Sequence, residues 1–168
     1  MRRLLLMLFG PLAAALAALV LAAGPALADS PHFLFANNSV GSNGALTTSF
    51  KEAGLGNLGT TSVSITLSAT GTALYQCFNN GGNHPKAGNK ETVSSALQTS
   101  GNFPIRNGST TGSLTVGPPG PGSFSCPSGQ TLFLQTVTYS GTTVSGAGAT
   151  FHATPDPISS GTLHTPVP

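Results

Sequence analysis

Between Ser62 and Phe78 the chain alternates with a period of two, and no other feature limits the possible folds as strongly. Val63, Ile65, Leu67, Ala69, Gly71, Ala73, Tyr75 and Cys77 fall on one parity. Ser62, Ser64, Thr66, Ser68, Thr70 and Thr72 fall on the other. A helix repeats every 3.6 residues and would scatter this pattern around its surface, whereas a strand sends alternate side chains to opposite faces. One apolar face and one hydroxyl-bearing face mark an antiparallel sheet with one side wet. The parity survives Gly71, so the stretch is either one long strand bent at a glycine or a hairpin with a three-residue loop, with the bent strand favoured. In both cases Tyr75 and Cys77 face the core.

Other segments follow the same logic. Residues 32–36 (HFLFA) and 45–50 (ALTTSF) read as strands, the second with Leu46 and Phe50 on one side and Thr48 between them. Residues 92–101 and 112–117 read as strands separated by a turn-rich piece containing Asn107-Gly108. Residues 131–139 and 142–153 look like a final hairpin across Ser140-Gly141, with Val137 opposite Val144. Gly146, Ala147, Gly148 and Ala149 would then face Phe133 and Leu134. No 3.6-residue period follows residue 28. Short strands with turn signals between them predict an all-β chain, a single antiparallel β-sandwich of immunoglobulin-like or Greek-key type.

The N-terminus has a different character. Arg2 and Arg3 precede an apolar run that ends in Ala26-Leu27-Ala28, the layout of a secretory signal peptide at residues 1–28. The expected organisation is this leader, a sandwich domain over 29–154, and a flexible Pro-rich tail over 155–168. In the exported chain Lys51, Lys86, Lys90 and Arg106 balance Asp29, Glu52, Glu91 and Asp156, so the formal charge is zero. Nucleic-acid binding needs several cations on phosphates, and attraction to an anionic membrane needs a basic cluster. Neither is expected, nor is a membrane anchor after cleavage. The expected location is extracellular.

Cys77 and Cys126 are the only cysteines, and in an oxidising compartment an even pair reads as one disulfide. The loop it closes is long enough for the chain-entropy model to give roughly 4 kcal/mol. Such a pair could bridge two sheets, as in immunoglobulin-like domains, although the chain has no tryptophan to complete that pattern. A zinc site would need further ligands at short spacings, so no metal and no cofactor is expected.

Catalytic patterns are sparse. G-x-S-x-G, P-loop and H-E-x-x-H motifs do not occur. Glycoside hydrolysis needs two carboxyls. Only Glu52 and Glu91 lie in the body of the domain, each beside a lysine, where solvated strand-end charges are the ordinary reading. The expectation is no enzyme, with a hydrolase using Glu52 and Glu91 as an alternative.

Residues 78–91 (FNNGGNHPKAGNKE) concentrate amides and charge in a chain otherwise poor in charge. Amide side chains both donate and accept, and glycines let the backbone fold sharply. Asn80, Asn83, His84, Lys86 and Lys90 are therefore the candidate binding residues, with extracellular polysaccharide or cell wall as the suited partner. A connecting loop with no ligand is the plainer reading. It goes with a second expectation, a structural or coat-like extracellular protein whose threonine-rich faces present ladders of hydroxyls.

The stretches Y-Q-C-x-N-N-G-G-N (Tyr75 to Asn83), N-K-E-T (Asn89 to Thr92) and F-S-C-P-S-G-Q (Phe124 to Gln130) resemble small exported β-sandwich proteins of filamentous, GC-rich bacteria. The resemblance spans the mature chain in style and implies a compartment and a fold, but no activity. In size and fold class the chain also resembles secreted apoproteins that carry enediyne chromophores, and secreted subtilisin inhibitors. Both of those use two disulfides where this chain has one.

Overall fold

The computed structural model describes residues 30–56, 58–79 and 85–167. The leader expected over residues 1–28 lies outside them. The strands are β1 (His32–Val40), β2 (Leu46–Ala53), β3 (Ser62–Asn79), β4 (Pro85–Pro104), β5 (Ser109–Val116), β6 (Gln130–Gly146), β7 (Ala149–His152), β8 (Ile158–Ser159) and β9 (Thr165–Pro166). One antiparallel sheet has the order β1-β2-β5, and the other β4-β3-β6-β7, with β8 and β9 also pairing along β6. Beyond β7, Thr154 pairs with Asn37 of β1 in the parallel sense. With β1, β2 and β5 in the places of strands A, B and E, and β3, β4, β6 and β7 in those of C, C′, F and G, this is the strand order of an immunoglobulin-like sandwich that lacks strand D.

The alternating stretch is a single strand. β3 runs for 18 residues, and its odd positions from Val63 to Cys77 are buried. Gly71 is needed there because a Cβ would stand 2.7 Å from Leu97 and 2.9 Å from Pro119. Its partner β6 is almost as long, at 17 residues, which corrects the expected hairpin at Ser140-Gly141. Residues 130–146 form one strand, and Val137 and Val144 face Ala73 and Leu67 of β3 rather than each other. At Ser140-Gly141 the register slips. Ala69 alone spans the gap opposite Gly141 and Thr142, and Gly141 adopts a φ of 62°. A glycine-bearing bulge thus carries the same local signature as a turn. The true turn is Ala147-Gly148, both at positive φ, which joins Gly146 to its partner Ala149 as a two-residue hairpin.

Two apolar clusters fill the space above the long sheet. The first lies between the sheets and includes Phe33, Phe50 and Leu114 from one and Ile65, Leu67 and Val144 from the other. Phe50 meets Phe33 and Phe103 edge-on. The second, around Ala73, Tyr75, Leu134, Val137 and Tyr139, is partly covered by non-strand segments. The β1–β2 turn sits over it, with the Tyr139 hydroxyl donating to the Gly44 carbonyl at 2.6 Å. Pro119 covers another part and accepts a hydrogen bond from the Tyr75 hydroxyl.

The tail expected to be flexible is instead docked. Ile158, Leu163 and Val167 pack on the second cluster, Val167 N–H donates to the Leu132 carbonyl, and the His164 ring stacks on Phe133 at 4.2 Å. Three apolar side chains spaced along a proline-rich segment are enough to hold it without long strands.

Candidate functional site

Of the residues singled out in 78–91, Asn80, Asn83 and His84 lie outside the described residues. Lys86 belongs to β4, since that strand begins at Pro85. The stretch therefore turns into sheet well before Glu91. Lys90 is exposed and registers with Gln76, on the outward parity. Asn89 donates to the Gln130 side chain at 2.9 Å, and Gln130 in turn donates to Asn79 at 3.3 Å. This amide chain links β4, β6 and β3 where sequence alone shows three unrelated polar residues.

The described end of the stretch opens onto a groove. Glu91 and Val93, on the inward parity of β4, form one wall; Pro121, Gly122, Ser123, Phe124 and Ser125 form the other, enclosing about 520 Å³. The second wall belongs to the connection between β5 and β6, and two fastenings hold it. Cys126 is bonded to Cys77 at the end of β3, across 49 residues of sequence. The Pro119 carbonyl takes the Tyr75 hydroxyl. The disulfide thus ties a loop to a sheet rather than one sheet to the other, which corrects the expectation drawn from immunoglobulin-like pairs. The groove combines an exposed carboxylate, two exposed hydroxyls and the partly exposed ring of Phe124. Carboxylates and hydroxyls hydrogen-bond to polyols, while an aromatic face covers the apolar side of a ring. The signal in sequence was an aromatic beside a cysteine in a Pro/Gly-rich segment, which reads more readily as punctuation.

Glu52 departs furthest from expectation. It is not a solvated strand-end charge but fully buried, at 0% exposure, and neither carboxylate oxygen has a hydrogen-bond partner. It continues the inward parity of Leu46, Thr48 and Phe50. Its neighbour across β5, Thr110, spends its hydroxyl on the Pro104 carbonyl. Oε2 points to the far sheet, where a Cβ on Gly146 would stand 2.9 Å away. Burial pushes the carboxyl pKa above its ordinary value, and His32 nearby opposes this in part. Glu52 and Glu91 are not brought together. Glu52 lies against Gly146, which pairs with Ile65, while Glu91 pairs with Tyr75. At about 3.3 Å per residue these levels of β3 are about 30 Å apart, far beyond the separation that paired glycosidase carboxyls need.

The outer face of the long sheet is the remaining feature. Across β4, β3 and β6 the rows read Ser100-Thr66-Ser145, Gln98-Ser68-Thr143 and Ser94-Thr72-Thr138. Within them Thr66 bonds Ser100 at 2.9 Å, and Thr72 bonds Ser94 at 2.8 Å. These rows contain no charge. Among the described residues no group of three or more His, Cys, Asp and Glu could hold a metal, and no helix is long and apolar enough to cross a membrane. Comparison with known proteins finds no matching family model, no matching curated protein and no matching solved structure.

Proposed function

We propose that the chain is an exported, non-catalytic recognition module that binds extracellular polysaccharide in the groove between β4 and the disulfide-tied loop. The observation that carries the reading is the groove's composition: Phe124 beside Glu91, Ser123 and Ser125, held by fastenings at Cys126 and Pro119. A pre-formed concave site with a few polar groups beside an apolar surface suits a small rigid ligand. One carboxylate adds a preference for amino sugars over acidic ones. Export is supported by the disulfide and by the leader-like residues 1–28.

The test is binding of the purified chain to neutral, amino-sugar and acidic polysaccharides, with Phe124→Ala and Glu91→Gln beside it. Saturable binding that both variants weaken by tenfold or more, with His84/Lys86/Lys90→Ala unaffected, supports the groove. Binding lost only in the triple variant moves the site to residues 84–90. Binding untouched by all of them refutes the groove. A second reading, a structural coat-like protein without a small ligand, is favoured by the uncharged hydroxyl rows of the outer face.

A further inference from the structure

The long sheet ends on β4, and among the described residues no strand pairs with its outer edge. An edge strand presents unpaired N–H and C=O groups, and monomeric proteins blunt such edges with charge, proline, bulges or a covering segment. Between Glu91 and Pro104 this edge has no charge, proline or bulge, and among the described residues no strand covers it. Residues 92–103 (TVSSALQTSGNF) carry neither charge nor proline and pair with β3 without a register break.

The sequence of the edge is also complementary to itself. An antiparallel pair made by two copies about a two-fold axis at Ala96 sets Ser94 against Gln98 and Thr92 against Ser100 on the outer face. On the inner face it sets Val93 against Thr99. Lys90 and Glu91 fall opposite Asn102 and Gly101, so no like charges meet. Ala96 is exposed and small at the centre, where each copy meets itself. We infer that β4 is a homodimerisation edge, and that two copies join through it into one continuous sheet whose hydroxyl rows run across the joint. Cross-strand pairs of this kind stabilise sheets, and the lack of net charge on the exported chain removes long-range repulsion between copies. The inference is independent of the groove.

The experiment measures mass against concentration by sedimentation for the purified chain with its disulfide intact, for Ala96→Lys, and for two single-cysteine additions. Ala96→Lys opposes two ammonium groups at the axis but leaves every core contact in place. Directly opposed residues of an antiparallel pair lie within disulfide reach. The expected results are a doubling of mass for the native chain, a monomer for Ala96→Lys with an unchanged circular dichroism spectrum, and oxidative cross-linking of Ala96→Cys but not of Thr70→Cys on the neighbouring strand. A native chain that stays monomeric throughout the micromolar range overturns the inference. So does a dimer that Ala96→Lys leaves intact, or equal cross-linking at both cysteine positions.

Discussion

Replacing Glu52 should stabilise the protein, and the gain should depend on pH in a direction that the geometry fixes. Both carboxylate oxygens are buried without partners, and burial raises the pKa above its ordinary 4.5. The folded chain therefore binds a proton more tightly than the unfolded chain. Between 4.5 and the raised folded value the native state holds more protons, so stability falls as pH rises through that interval. The contribution is fully present below 4.5 and is lost above the folded value. Glu52→Gln removes the ionisation while keeping the shape, and should flatten this slope. Glu52→Met also removes the unpartnered polar atoms, whose burial costs about 1–3 kcal/mol. At roughly 2–4 °C per kcal/mol, the Met variant should melt several degrees higher at neutral pH. The assay is thermal unfolding by circular dichroism from pH 4 to pH 9, with the three proteins side by side. A native chain whose stability rises with pH while that of Glu52→Gln does not would show an ionised, partnered carboxylate. A Met variant that melts lower would show that the carboxyl contributes favourably. Either result refutes the reasoning.

Further outcomes are specific to single features. Replacing Cys77 and Cys126 by alanine should cost about 4 kcal/mol in denaturant unfolding, the chain-entropy value for this loop. Gly146→Ala drives a methyl into Ile65 and against Glu52 Oε2, and should cost about 1–3 kcal/mol in the same assay. Burial raises the pKa of both tyrosines of the chain, and Tyr139 is pushed up to about 12. Spectrophotometric titration should show the phenols less than half-ionised at the ordinary value of 10, and half-ionisation there would mean that the second cluster is open to water.

The long strand β3 was legible because its alternation is strict and its glycine falls on the inward parity, where close packing needs it. β6 was read as a hairpin because Ser140-Gly141 has turn chemistry, and a bulge uses the same positive φ without reversing the chain. Glu52 was misread by residue type, although Leu46, Thr48 and Phe50 already set its parity; a charge on a buried face is the pattern's least expected member. The groove was not legible because its walls come from β4 and from a loop some thirty residues later, and that loop is held by a disulfide to β3, an attachment that the spacing of the cysteines does not specify. The tail looked mobile because three isolated apolar residues carry no period, and it is the surface they meet that gives them a role.

The two apolar clusters divide the labour along the same pair of long strands. One end of β3 and β6 is clamped by a second sheet, and the other is roofed by the β1–β2 turn, the proline-rich loop and the tail. Amide exchange should be slowest around Ile65 and Leu67 and faster towards Tyr75, because loops open at lower cost than paired sheets. Substitutions in residues 120–125, between the fastenings at Pro119 and Cys126, can then reshape the groove while the clamped end still holds the fold. The molecule therefore has a clamped end and a loop-roofed end on one continuous pair of strands, and a change in the roof leaves the packing of the clamp in place.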